Sequence, residues 1–414
     1  MRTHTLGRGG FGVSIDEAGC LRDLWFPETG GENHLVGNRC ALGLGLGDRV
    51  VWTHDPGWEM ESRPVEAGRR AWTRLHHPQS GVTLLLLDEL TPDGDGLMRH
   101  VRWLDSAEIR RLPRALYFHF DLQLMESDLA GCVRYEPDGR FLRHFKRQRQ
   151  VLVGALRDGI PGIEEWTLGR RDENEGAGIR PDAARAELPR NPVAMGAGES
   201  LVALRAAADT SFPAITQVLL VATNEAELRT RWTRCLASYR HADPVAPLVA
   251  RPDPVRALRS EALGLIASQC GIGGAILAST DGEILESARD SYAWCWPRDG
   301  AFVASALEMS GETGIPGRFY EYCRRALHPA GYLQQRYHAD GSPGSTWHRA
   351  PHPDELWLPI QEDETALVLW ALGESVHRSS RALYRELVLP AAEFLDHYRD
   401  EATRLPRPSH DLWE

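Results

Sequence analysis

The sequence predicts a two-part fold, an antiparallel β-sandwich followed by a train of paired helices. Three observations predict it. Up to about Ala237 the apolar residues recur with a period of two. From Arg240 to Pro254 the stretch RHADPVAPLVARPDP carries four prolines in fifteen residues, the composition of a linker. From Val255 the apolar period becomes helical. The expected boundaries are therefore 1–237 for the sandwich, 238–254 for the linker and 255–414 for the helical part.

The clearest strand is LYFHFDLQL, Leu116 to Leu124. Leu116, Phe118, Phe120, Leu122 and Leu124 alternate with Tyr117, His119, Asp121 and Gln123, so one set faces a core and the other does not. GVTLLLLDEL (Gly81 to Leu90), SLVALRAAA (Ser200 to Ala208) and AITQVLLVAT (Ala214 to Thr223) are further strand candidates. Turn signals such as Pro92-Asp93-Gly94 and Pro137-Asp138-Gly139 separate the runs. Many strands without a helical pattern between them suggest antiparallel pairing. In the second part, VRALRSEALGLIASQ sets Leu258, Ala262, Leu265 and Ile266 on one stripe. DGAFVASALEMSGET, PGRFYEYCRRAL, DETALVLWALGESV and ALYRELVLPAAEFLDHYRDEA follow as helices. Trp370 lies in an apolar run and is expected in the core. Helices whose connecting loops hold the polar residues suggest a ring with its site at one end.

Composition narrows the function classes. A chain of 414 residues with 42% hydrophobic and 25% charged content is ordinary for globular protein. The net charge of −11 argues against a nucleic-acid partner. No apolar run approaches the ~20 residues that cross a membrane, and the N-terminus lacks an apolar leader core. No membrane association is expected, and a cytoplasmic location is. The seven cysteines form no CxxC pair, which points to free thiols. His338, His348 and His352 lack metal-ligand spacing, so neither a metal nor a cofactor is expected.

Three segments set aromatic rings beside charged groups, the mixture that a sugar's apolar faces and hydroxyls require. In SYAWCWPRDGA, Ser291 to Ala301, Trp294, Trp296, Arg298 and Asp299 precede a helix. Arg298 and Asp299 can offer donors and acceptors to neighbouring hydroxyls, or Asp299 can cap the helix. In WLPIQEDETALVLWAL, Trp357 to Leu372, the acids Glu362, Asp363 and Glu364 open a helix. They can offset its dipole, or combine with Trp357 in a stacking platform. SHDLWE, Ser409 to Glu414, places Glu414 against Trp413. An indole strips water from a carboxyl and raises its pKa, as a general acid requires, whereas a surface Glu would have no such role. Between these segments runs a long Gly- and His-rich stretch, Gly331 to Trp357, with the look of a functional rim.

Together the motifs resemble glycoside hydrolase family 15, the glucoamylases, glucodextranases and some trehalases. The strings are Y-x-W-x-W-P-R-D, G-Y-L-Q-Q-R-Y-H-A-D-G-S, S-T-W-H, L-P-I-Q-E-D-E-T-A-L and D-L-W-E, in family order. WFPETGGENHLVG, Trp25 to Gly37, is similar to the N-terminal β-sandwich of the bacterial members. The resemblance implies that 255–414 is the N-terminal part of an (α/α)6 toroid. It implies that Tyr292 stacks on the terminal glucose, with Trp296 beside it, while Arg298 and Asp299 hold the hydroxyls. Trp357 would flank the cleavage point, Asp411, Leu412 and Trp413 would line the pocket, and Glu414 would be the general acid. The family inverts the anomeric centre, which needs a second carboxylate ~6.5–9.5 Å from the first. In the family that base follows D-L-W-E at a distance, so the chain is expected to be a fragment whose general base lies past Glu414.

The function this implies is exo-acting, inverting α-glucoside hydrolysis that releases glucose from the non-reducing ends of α-glucans or maltooligosaccharides. Trehalase of the same family is the alternative within the class. A non-catalytic carbohydrate-binding or regulatory module is the alternative outside it.

Overall fold

A computed structural model describes residues 2–171, 179–185, 187–245, 253–280, 292–344, 360–407 and 409. The chain divides into two compact units. One is built on Met1–Pro27 and Glu32–Ser268; the other holds Glu28–Gly31, Gln269–Thr280 and the described residues of Asp290–Glu414.

The first unit is the antiparallel β domain. A five-stranded sheet runs in the order Glu165–Arg170, Gly198–Ala206, Arg114–Asp121, Ala41–Leu46 and Arg49–Trp52. A large sheet passes from Val193–Met195 through Cys132–Glu136, Phe141–Lys146, Arg149–Arg157, Ile215–Ala222, Gly96–Leu104, Val82–Leu90 and Arg70–His77 to Glu59–Glu66. Arg2–Arg8, Phe11–Asp16 and Leu21–Trp25 form a third sheet. The two larger sheets share one core. Leu116, Phe118 and Phe120 meet Leu44, Val202, Leu84, Leu86, Val151 and Leu219 there. Their neighbours Ala115 and Tyr117 point the other way, onto Ile179, Ala183 and Leu188. The period of two read at Leu116 to Leu124 thus separates two layers of packing. Helix α1 (Glu225–Ser238) covers the outer face of the large sheet with Leu228, Trp232 and Cys235. Asn224 caps it by accepting Glu227 N at 2.9 Å.

The core also holds charge. Arg99 and Asp88, 2% and 0% exposed, pair through Nε–Oδ1 at 2.6 Å and Nη2–Oδ2 at 3.1 Å. His34 is wholly enclosed. Its Nδ1 accepts Met125 N at 3.0 Å, which leaves Nε2 to donate to Phe26 O at 2.9 Å. Both nitrogens are committed to one neutral tautomer, and burial pulls its pKa down to about 4. Helix α2 (Pro254–Ser268) has the expected helical period, yet Val255, Leu258 and Leu265 face outward.

The second unit is helical. Its elements are α3 (Pro297–Met309), α4 (Gly314–Ala326), α5 (Glu362–Glu374) and α6 (Leu389–His397), the last entered through a π-helical turn at Tyr384–Val388. α3 opens with Pro297 at its first position, where a missing N–H costs nothing. α4 buries Ile315, Phe319, Tyr320, Tyr322 and Cys323 along one face. α3 approaches α4 at Gly300, where a Cβ would stand 2.4 Å from a ring carbon of Phe319. α5 buries Glu364, Thr365, Val368, Ala371 and Leu372. Trp370 is not in the core: it is 49% exposed and lies 6.0 Å from the equally open Phe302 ring on α3. A residue run that is apolar all round does not reveal which side turns inward.

Four residues from the start of the chain belong to this helical unit. Glu28 Oε1 accepts Gly273 N at 2.8 Å. Gly30, at φ +79°, leaves no room for a side chain, since a Cβ would stand 2.1 Å from Leu277 Cδ1. The architecture is the one the sequence predicts, an antiparallel β domain followed by helices. No helix among the described residues is long and apolar enough to cross a membrane.

Candidate functional site

Residues 292–296 are held within the helical unit by backbone hydrogen bonds on two sides. Ala278 N donates to Trp294 O at 2.9 Å and Ser279 N to Tyr292 O at 3.1 Å. On the other side, Cys295 and Tyr337 exchange two backbone bonds of 2.9 Å each. Four residues along a straight strand span ~13 Å, so Y-x-W-x-W bends: the rings at the two ends of this aromatic row, Tyr292 and Trp296, are centred 5.9 Å apart, while Cys295 is buried. Arg336 braces the row. Its guanidinium carbon stands 4.6 Å from the Trp294 ring centre and 5.8 Å from that of Trp296, within cation–π range. The His338 ring lies 4.3 Å from Trp294. Trp294 and Trp296 are buried at 9% and 6% exposure, whereas Tyr292 is 49% exposed. Tyr292 thus offers a ligand an open aromatic face, and the tryptophans fix its backing.

The row ends at Trp296, which is the N-cap of α3 but supplies no side-chain cap. The capping group comes from α5 instead: Glu364 Oε2 accepts Arg298 N at 2.5 Å. The Arg298 guanidinium returns to the same helix start, with Nη1 3.0 Å from Asp363 Oδ2 and 3.4 Å from Gln361 Oε1. The first turns of α3 and α5 are clasped through one residue. Asp299 does not cap α3. Its side chain, only partly open to solvent in the first turn, makes no hydrogen bond among the described residues. Loss of water lifts its carboxyl above the ordinary range, and Asp363 adds to this against the pull of Arg298.

Glu364 is fully buried, and its Oε1 has no hydrogen-bond partner among the described residues. Burial pushes its pKa well above the carboxylate range. Asp363 and Asp299 push the same way, while the Arg298 N–H and charge oppose them. The sequence places Glu364 among three acids of a first turn, which the helix dipole alone would explain. Its spacing to Val368, Ala371 and Leu372 puts it on the buried stripe, and that is the signal that sets it apart.

Of the residues expected at a site, Tyr292 and Trp296 bring their rings together, and Arg298 and Asp299 lie in the helix turn that follows Trp296. Trp357, Asp411, Leu412, Trp413 and Glu414 lie outside the described residues. So do His348 and His352 of the Gly- and His-rich stretch. Among the described residues no cluster of His, Cys, Asp or Glu has metal-binding geometry. A cavity of about 690 Å³ near the start of α4 contains none of the expected residues. The N–H groups of Gly314 and Ile315 there are already taken by Glu312, at 2.7 and 3.2 Å.

No family model matches the chain. An uncharacterized glycosyl hydrolase of Methanocaldococcus jannaschii is 21% identical over 427 aligned positions, covering 99% of this chain and 65% of that protein. A bacterial glucoamylase, solved in complex with acarbose, superposes with a TM-score of 0.70 at 13% identity, over 95% of this chain and 58% of that one. The chain has the glucoamylase-like fold. It spans less than two thirds of the length of either relative. At these identities the fold is shared, while family 15 membership, activity and substrate belong to the proposal that follows.

Proposed function

We propose that this chain carries the sugar-holding part of an exo-acting, inverting α-glucoside hydrolase of the family 15, glucoamylase-like kind. The supporting observation is the Tyr292–Trp296 ring pair, with Arg336 packed on both Trp296 and Trp294, followed at once along the chain by Arg298 and Asp299. A pyranose has flat apolar faces and a rim of hydroxyls. The half-exposed Tyr292 ring meets the first need. The Arg298 fork of donors and the unengaged Asp299 acceptors, at the mouth of a helix whose N-terminus favours electron-rich groups, meet the second. A terminal glucose stacked on Tyr292 with its hydroxyls at Arg298 and Asp299 enters with its ring end first, which is exo action.

Chemistry is assigned by motif. Glu414 is the general acid that protonates the leaving oxygen, Trp357 flanks the scissile bond, and Asp411, Leu412 and Trp413 line the pocket. Inversion needs a second carboxylate ~6.5–9.5 Å away to activate water. No residue of this chain is assigned that role. The substrates are α-glucan or maltooligosaccharide ends, and the products are glucose and a shortened chain.

Acarbose titration of this chain tests the binding half. Tyr292→Ala and Asp299→Asn should each weaken binding by about tenfold or more, the loss of one stacked ring or one charged hydrogen bond. Wild-type affinity in both variants would sink the site. Glucose release from maltotriose and from trehalose tests the chemistry; cleavage of trehalose alone would move the assignment to the trehalase branch.

A further inference from the structure

Every helix start leaves backbone N–H groups without partners inside the helix, and a side chain at the N-cap normally accepts one of them. In α3 the N-cap is Trp296, which cannot. Glu364 reaches across from α5 and takes the Arg298 N–H. The arrangement is an unusual one. A carboxyl with 0% exposure spends one oxygen on the cap, while the other is enclosed with no partner among the described residues. An enclosed polar atom without a partner has given up its water and gained nothing in return. A serine or aspartate at position 296 would cap the helix without that cost, but would remove the ring that Arg336 braces.

We propose that Glu364 is a positioning residue of the sugar clamp: by holding the Arg298 N–H it fixes the first turn of α3, and with it the stance of Arg298 and Asp299. The role rests on the glucoside binding proposed above. Three consecutive contacts support it. The backbone of Arg298 is held by Glu364, and its side chain by Gln361 and Asp363, so one helix start dictates both where the residue stands and where it points. Asp299, the next residue, has no hydrogen bond of its own among the described residues and takes its position from that turn. The physical state of Glu364 supplies a control. Burial favours its neutral form, and a neutral acid matches glutamine in shape and charge.

The experiment is calorimetric titration of this chain with acarbose, for wild type, Glu364→Gln, Glu364→Asp and Glu364→Met. Each is measured at a temperature where circular dichroism shows the variant folded. Glu364→Gln should bind within about threefold of wild type, because its amide oxygen still accepts the Arg298 N–H. Glu364→Asp falls short of that N–H by one methylene, and Glu364→Met cannot accept at all. Both should bind about tenfold or more weakly, the equivalent of one such hydrogen bond. Where Met does not fold, Asp keeps a buried acid and still reads the geometry. Wild-type affinity in the folded Asp or Met variant would overturn the positioning role while leaving the function intact. Loss of binding in Gln equal to that in Met would overturn it too, by showing that the acceptor is not what matters. A wild-type chain that does not bind acarbose would instead strike the proposed function itself, and the clamp with it.

Discussion

Gly300→Ala should loosen the start of α3 although alanine is the better helix former. The added Cβ would meet Phe319 Cε2 at 2.4 Å and Cζ at 2.7 Å. Carbon pairs settle near 3.5–4.0 Å, so more than 1 Å of overlap must be relieved. Phe319 is 0% exposed and packed against Tyr320, so its ring has little room to turn, and α3 must retreat. Overpacking of this kind costs about 1–3 kcal/mol. The glycine-to-alanine change returns up to about 1 kcal/mol in helix propensity. Gly373, on α5 with no atom within 4 Å of a built Cβ, isolates that second contribution. The difference between Gly300→Ala and Gly373→Ala therefore measures the overlap alone, about 1–3 kcal/mol. The assay is amide hydrogen exchange on peptides from α3 and α5, each helix compared with its own wild-type rate. The overlap should appear as roughly 5- to 150-fold faster relative exchange in α3. Acarbose affinity should fall with it, because Arg298 and Asp299 ride on the displaced turn. Exchange in α3 of Gly300→Ala slowed as much as exchange in α5 of Gly373→Ala, each against its own wild-type rate, would refute the packing account.

Three further outcomes are expected. Arg99→Met should destabilise the β domain by about 3–5 kcal/mol by leaving Asp88 buried without its partner, while Arg99→Met with Asp88→Leu should recover most of that; thermal unfolding followed by near-ultraviolet circular dichroism checks both. Acid should weaken the β domain below neutrality: His34 takes up a proton near pH 6.5 when unfolded but only near pH 4 when folded, so its contribution is complete above pH 6.5 and is lost as pH falls from there toward 4. Replacing His34 with glutamine should flatten that part of the pH–stability curve, and an unchanged slope would assign it elsewhere. In the active enzyme, Glu414→Gln should cut turnover by about 10²–10⁴-fold with acarbose affinity largely kept, and unchanged turnover would mean that another residue is the acid.

The β domain was largely legible because alternation survives burial on both faces: Leu116, Phe118 and Phe120 enter one core while Ala115 and Tyr117 enter another. Helices were legible as helices, but not their orientation. Val255, Leu258 and Leu265 form a stripe that faces outward, and Trp370 sits in a run where every residue is apolar. The gathering of aromatic rings before α3 could be foreseen from the motif Y-x-W-x-W. Its brace could not, because Arg336 lies forty residues downstream of Trp296 and reaches it through the Cys295–Tyr337 bridge. The clasp between α3 and α5 depends on which face of α5 is buried, a fact of tertiary packing that three adjacent acids do not disclose.

Glu28–Gly31 are members of the helical unit, although the rest of that unit begins only at Gln269. The two units are therefore not separable by a single cut of the chain. A helical part produced from Gln269 onward would lack these four residues, leaving Gly273 N without its carboxylate and Leu277 without the glycine that packs on it. A short synthetic peptide spanning them is the natural reagent for complementation. Its capture by the severed helical part, measured by fluorescence anisotropy and lost on replacing Glu28 with alanine, would turn a detail of chain threading into a means of assembling the unit from two pieces.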